Sequence, residues 1–128
     1  MTTTITKQIP YQALLNKYQQ ALQTKLPNHI QKLILYGSQV REEATNESDI
    51  DVLVVVNWEM ERLPNGFYQA PFSDPRWQTI VNLAVDLCIE HGIYISPMVV
   101  TKKQFEEYSP LFNEIKREGV EIWTNTQS

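Results

Sequence analysis

One short segment, the run from Asp49 to Val56, constrains the fold of this chain more than any other. Its second half, Val52 to Val56, is aliphatic at every position. A run this short that is apolar on both faces predicts a central strand in a sheet covered on both sides. It is also the longest aliphatic stretch, and it falls far below the ~18 apolar residues that a membrane-spanning helix needs.

The other segments predict helices and strands in alternation. A short apolar run that ends at a glycine indicates a buried strand, whereas apolar residues three and four apart indicate one face of a helix. Prolines and N-capping residues mark where helices begin, and glycines mark where they end. The predicted elements are a helix from Pro10 that ends before Pro27, a strand Leu33–Tyr36, a helix from Ser38, a strand Asp49–Val56, a long loop Asn57–Ser73, a helix from Asp74–Pro75 to Gly92, a strand Ile93–Val100, a short helix with the capping box Thr101–Gln104, a helix from Ser109–Pro110 to Gly119, and a short strand Val120–Trp123.

This order predicts an α/β (α+β) domain, a small mixed β-sheet flanked by helices, that occupies residues 1–128 as a single unit. Pro97 interrupts the strand Ile93–Val100 and predicts an edge position or a bulge there. The chain has 128 residues, enough for one core but not for a catalytic domain with a separate substrate domain.

Composition excludes several classes of protein. Fifteen acidic and eleven basic residues give a net charge of −4, so a long nucleic acid is a poor candidate partner. One cysteine, Cys88, excludes an internal disulfide framework and a zinc site built from several thiolates. The N-terminal residues lack the apolar core of a signal peptide, and we expect a cytoplasmic protein without a membrane partner.

Gly37 and Ser38 form the first candidate for chemistry, at the point where a strand ends and a helix begins. A glycine lets the backbone approach a ligand closely, and the free N–H groups of a helix N-terminus attract phosphate. The serine hydroxyl adds one more donor. A Gly-Ser pair is also common in plain turns and caps, so the pair by itself does not establish a phosphate site.

Asp49 and Asp51 form the second candidate. Side chains alternate along a strand, so the two carboxylates share a side, about 7 Å apart at ~3.3 Å per residue. That spacing suits hard cations, and Mg²⁺ is typically held by one or two carboxylates together with substrate phosphates. The alternative is that Asp49 and Asp51 are only the solvated start of a strand and bind no metal. A phosphate cradle on one strand and metal ligands on the next are the parts that metal-assisted phosphoryl or nucleotidyl transfer needs.

The segments Tyr36-Gly-Ser-Gln-Val-Arg41 and Ser48-Asp-Ile-Asp-Val-Leu-Val-Val together resemble the signature of polymerase-beta-type nucleotidyltransferases. The size of the chain and the ten-residue spacer are similar to those of minimal nucleotidyltransferases, the antitoxin half of HEPN/MNT toxin–antitoxin pairs. The matching motif runs from Tyr36 to Val56. The resemblance implies a polymerase-beta-like nucleotidyltransferase fold.

The resemblance also implies roles. Gly37 and Ser38 would hold the phosphates of ATP, and Asp49 and Asp51 would bind Mg²⁺ and act as the catalytic pair. Arg41 would steady the loop or a phosphate, unless it is a solvated arginine or an ion-pair partner of a nearby acid. ATP would be the nucleotide, and the partner would be a HEPN-type toxin, a ribonuclease that receives AMP on a tyrosine.

One departure from the family pattern concerns a third carboxylate, which active members usually carry on the strand after the long helix. Here that strand has Ser96 or Met98 at the expected place, and Glu90 just before it is the nearest substitute. Three functions therefore remain open: an adenylyltransferase antitoxin, a catalytically impaired antitoxin that acts by binding only, and a small-molecule nucleotidyltransferase.

Overall fold

The structure is a computed structural model that describes residues 11–37, 49–59, 63–66, 74–107 and 109–125. In chain order, its helices and strands are α1 Gln12–Lys25, β1 Ile30–Tyr36, β2 Ile50–Val56, α2 Pro75–His91, β3 Ile95–Thr101, α3 Lys102–Glu106, α4 Pro110–Glu118 and β4 Val120–Thr124. The order agrees with the prediction wherever the chain is described, and β1 begins at Ile30 rather than at Leu33.

Local signals place the helix ends. The Asp74 side chain accepts a hydrogen bond from the Arg76 backbone N–H at 2.8 Å, so it caps α2 as predicted. Gly92 ends the same helix with a φ of 76°, a left-handed conformation that glycine adopts without strain. Thr101 and Gln104 form the expected reciprocal capping box at α3. These ends depend only on neighbours in the sequence, so the sequence predicts them well.

The four strands form one sheet in the order β3-β2-β1-β4. The β2 strand pairs with β1 in antiparallel and with β3 in parallel orientation, so the sheet is mixed, as predicted. The aliphatic run of β2 lies in the interior of the sheet, and Val52 and Leu53 on its two faces are both fully buried. The long helix α2 between β2 and β3 provides the crossover that a parallel pair requires.

Each face of the sheet has its own apolar core. Helices α1 and α2 cover the first face, where Tyr18 is fully buried and donates a 2.9 Å hydrogen bond to the Ile80 carbonyl. Helices α3 and α4 cover the second face, where Phe105 and Ile115 pack against Leu53. Side chains alternate along β2, so Asp51 shares the second face with Leu53.

Pro97 does not interrupt β3, and the prediction of an interruption is wrong. The strand pairs with β2 from Ile95 to Thr101 without a register shift. The predicted edge position is confirmed, because β3 is the outermost strand on its side of the sheet. An edge strand needs ladder hydrogen bonds on one side only, so the missing N–H of proline is tolerated on the outer side.

Across the described part of the chain, no helix is both long enough and apolar enough to cross a membrane.

Candidate active site

Gly37 and Asp51 lie in direct contact at one end of the sheet. Tyr36, the last residue of β1, pairs in register with Asp51, so Gly37 follows directly beside it. A β-carbon placed on Gly37 would overlap the Oδ2 atom of Asp51 and lie 3.2 Å from its Cγ atom. Gly37 also has a φ of 82°, which other residues adopt only with strain. The backbone of Gly37 therefore packs against the carboxylate, and only glycine fits there without a shift.

Tyr36 is a neighbour of this carboxylate that the sequence did not single out. Its phenol is half-buried, and burial raises its pKa above the ordinary value. The negative charge of Asp51 raises the same pKa further, which reports the proximity of the two side chains. The antiparallel pairing of β1 with β2 produces this contact, so a predicted register of the two strands could have revealed it.

Of the other predicted site residues, only Asp49 lies within the described part of the chain. Asp49 lies one residue before β2 begins, and it is exposed. The sheet thus brings together Gly37 and Asp51, with Asp49 two positions before Asp51 along the chain. Ser38 and Arg41, together with the helix predicted from Ser38, fall outside the described residues, and their roles remain predictions.

The position opposite Asp51 on the neighbouring strand is Ser96. The parallel register of β2 and β3 pairs Asp51 with Ser96, whereas Met98 pairs with Leu53 and packs against the second core. The backbone N–H of Ile50 donates to the Tyr94 carbonyl at 3.0 Å, which holds the start of β2 beside β3. Between the two candidates for the third-carboxylate position, the register therefore selects Ser96, whose side chain is a hydroxyl.

Glu90 does not substitute for that carboxylate. It lies on α2, which covers the other face of the sheet, and its Oε1 atom is 3.6 Å from the Lys17 ammonium and 3.4 Å from the His91 ring. The pair with Lys17 is an exposed ion pair, which contributes little stability. Glu90 is therefore a surface residue away from Asp51.

A small pocket of about 40 Å³ opens on the other side of Gly37, toward β4. Helix α4 provides Glu114 and Glu118 to its wall, one helical turn apart. The sequence did not indicate this pocket, because α4 is far from Gly37 along the chain and only the position of β4 beside β1 brings them together. The described lining residues are Tyr36, Gly37, Leu111, Glu114, Ile115, Glu118 and Gly119.

The donor atoms at this end of the sheet fit Mg²⁺. Asp51 offers a half-buried carboxylate and Asp49 an exposed one, both of them hard oxygen ligands. In the described parts of the chain, no cluster of three or more His, Cys, Asp and Glu side chains could hold a metal ion. Two carboxylates are what Mg²⁺ uses when substrate phosphates complete its coordination, whereas a metal caged by protein ligands alone would need more.

Comparison with known proteins shows the family to which this chain belongs. A family model described as a nucleotidyltransferase domain matches residues 15–121, and the chain belongs to that family. Two relatives in Methanocaldococcus jannaschii both bear the name "Putative protein adenylyltransferase". One is 27% identical over 93 residues, which are 73% of this chain and 76% of the relative. The other is 28% identical over 109 residues, which are 85% of this chain and 95% of the relative.

A solved structure supports the same fold. A toxin–antitoxin crystallised with AMP-PNP aligns with a TM-score of 0.53 at 18% identity. The alignment covers 91% of this chain and 76% of the matched chain. The predicted polymerase-beta-like nucleotidyltransferase fold is therefore confirmed. The family match confirms the enzyme class that the motif implied, a nucleotidyltransferase.

Proposed function

We propose that this protein is an antitoxin that transfers AMP from ATP to a tyrosine of a HEPN-type toxin and thereby silences it. Gly37 and Ser38 hold the phosphates of ATP, with Arg41 steadying the loop or a phosphate. Asp49 and Asp51 bind Mg²⁺, which neutralises charge on the triphosphate and orients it. The toxin provides the acceptor wall that a single domain lacks.

The transfer step needs no reactant other than ATP and the acceptor tyrosine. The phenol oxygen of the acceptor tyrosine forms a bond to the α-phosphorus of ATP, and the bond from that phosphorus to the oxygen bridging to the β-phosphate breaks. Pyrophosphate leaves with the electron pair, and the phenol proton passes to a base. The residues of this chain contribute position and charge, which account for most of the catalysis in such displacements.

The observation that supports this proposal best is the contact between the Gly37 backbone and the Asp51 carboxylate. It brings a carboxylate, the kind of oxygen ligand that Mg²⁺ prefers, next to a strand end whose glycine backbone is open to close approach. The names of the two archaeal relatives and the AMP-PNP in the aligned toxin–antitoxin structure favour a nucleotide and a protein acceptor.

Co-expression with the protein encoded by the neighbouring open reading frame tests the proposal. We expect intact-mass measurement of both chains to find one added AMP on the partner, on a tyrosine, when ATP and Mg²⁺ are present. Asp49→Asn with Asp51→Asn should abolish the addition and restore toxicity. An unmodified partner that the double variant still neutralises would contradict the proposal.

A second candidate function, neutralisation by binding alone, is favoured by Ser96. The register partner of Asp51 is a hydroxyl rather than an acid, so no third carboxylate lies beside Asp51 on β3. Calorimetric titration with ATP, with and without Mg²⁺, separates the two functions. A chain that neutralises its partner but binds no nucleotide is a docking antitoxin.

A substitution at Ser96 tests directly how much the missing carboxylate lowers the rate of AMP transfer. Ser96→Asp adds an acid in register with Asp51 on the same face, where it can ligate the metal or accept the acceptor proton. We expect the rate of AMP transfer to rise about a hundredfold, at the low end of what a general base contributes. Initial rates of AMP incorporation measure it, and Ser96→Asn controls for size. Equal rates in the two variants would show that the position does not limit transfer.

A further inference from the structure

A second pocket opens on the same face of the sheet as Asp51, at the opposite end. Its volume is about 310 Å³, at the lower limit of typical small-molecule sites. Val55, on β2, is four residues from Asp51, about 13 Å along the strand at ~3.3 Å per residue. The proposed transfer reaction does not involve this pocket. The described lining residues are Gln31, Lys32, Val55, Lys102, Phe105, Glu106 and Lys116.

Three lysines line this pocket, although the chain has four more acidic than basic residues. The Lys32 ammonium pairs with Glu121 at 3.0 Å. The Lys116 ammonium lies 4.9 Å from the centroid of the Phe105 ring and, like Lys102, has no carboxylate partner among the described residues. Glu106 is the one acid in the described lining. Two exposed lysines thus line the pocket without a carboxylate partner in the part of the chain that the structure describes.

The floor of the pocket is apolar and buried. Val55 and Phe105 are buried members of the second core, and the three lysines project from β1, α3 and α4 around them. Ammonium groups bind phosphate as compact point charges on flexible stems, and their three rotatable donors can follow a chain of tetrahedral phosphate groups. All three cations of the described lining are lysines.

We propose that this lysine pocket, formed around Lys32, Lys102 and Lys116, binds a compact polyphosphate. The ligand is a chain of phosphate groups with several negative charges, either free or at the end of a nucleotide. Lys102 and Lys116 make the main contacts, since the Lys32 ammonium is already paired. The site is separate from the one around Gly37 and Asp51, and it does not depend on the proposed transfer.

Calorimetry with inorganic tripolyphosphate tests this proposal, at ~0.15 M salt so that distant charges are screened, and without divalent metal so that the carboxylates at the other end contribute least. We expect the affinity to fall about tenfold or more in the double variant Lys102→Gln/Lys116→Gln, because two charge-assisted hydrogen bonds are lost. Lys17→Gln/Lys25→Gln removes the same charge from α1, on the other face of the sheet, and should leave the affinity within about twofold, since exposed charges beyond ~8 Å are largely screened at this salt concentration.

Two further comparisons complete the test. The variant Lys102→Gln/Lys116→Gln should transfer AMP at the unaltered rate, which separates this pocket from the other site. A metal-free titration with ATP distinguishes a free polyphosphate from a nucleotide as the ligand. If ATP and tripolyphosphate bind with equal affinity, the pocket recognises the phosphate chain alone. If ATP binds more tightly and Lys102→Gln/Lys116→Gln abolishes that binding, the ligand is a nucleotide. Tripolyphosphate binding that is absent, or that both lysine double variants weaken equally, would overturn the proposal. Thermal unfolding checks that each variant is folded.

Discussion

Asp51→Asn should lower the rate of AMP transfer about a thousandfold while the protein stays folded. A metal ion contributes several kcal/mol to stabilising charge in such transition states, and each 1.36 kcal/mol is a tenfold change in rate. Asparagine keeps the size of the side chain but loses the charge that holds Mg²⁺. The measurement is the initial rate of AMP incorporation into the partner at saturating ATP, across a range of Mg²⁺ concentrations.

Asp86→Asn is the matched control for that experiment. Asp86 is exposed on α2, which covers the other face of the sheet, and its loss removes the same charge. We expect the Asp86 variant to retain the full rate. If Asp51→Asn transferred AMP as fast as Asp86→Asn, Asp51 could not be a metal ligand, whatever else holds the nucleotide. A rate recovered at high Mg²⁺ would instead indicate weakened metal affinity, as the proposed role requires.

Gly37→Ala should destabilise the protein by about 3 kcal/mol. The left-handed backbone conformation costs a non-glycine residue about 1–2 kcal/mol. The added methyl group must also displace the Asp51 carboxylate, and overpacking of this kind costs about 1–3 kcal/mol. Urea unfolding measures the change as a shift in midpoint at constant slope.

Two controls separate the backbone strain from the contact with Asp51. Gly92 has a φ of 76° and no atom within 4 Å of an added β-carbon, so Gly92→Ala reports strain alone, about 1–2 kcal/mol. In an Asp51→Ala background, the cost of Gly37→Ala should fall to nearly that value. An unchanged cost in that background would mean that the carboxylate does not limit the space at Gly37.

The extent to which the sequence predicts this fold depends on the range of each interaction. The capping residues Asp74 and Thr101 act on neighbours two and three positions away, so their helices begin where predicted. The aliphatic run of β2 is apolar on both faces, which is sufficient to predict a central strand. Both features can be recognised without knowing which strands are neighbours.

The parts of the site that the sequence leaves open depend on strand register. Alternation places Ser96 and Met98 on one face, but only the parallel pairing of β2 with β3 puts Ser96 beside Asp51. Likewise, Tyr36 meets Asp51 through the pairing of β1 with β2. The lysine pocket combines β1, β2, α3 and α4, and no local pattern links these segments. Register and packing are long-range properties, and single-sequence patterns do not determine them.

Pro97 has a consequence for how this protein behaves at high concentration. An exposed edge strand is a template on which another chain can add a strand, and β3 is rich in β-branched and apolar residues. Pro97 leaves a gap in the outward row of N–H donors halfway along that edge, so an incoming strand cannot form a continuous ladder. β3 tolerates Pro97 because it is an edge strand, and Pro97 in turn protects the protein against ordered aggregation from this side of the sheet.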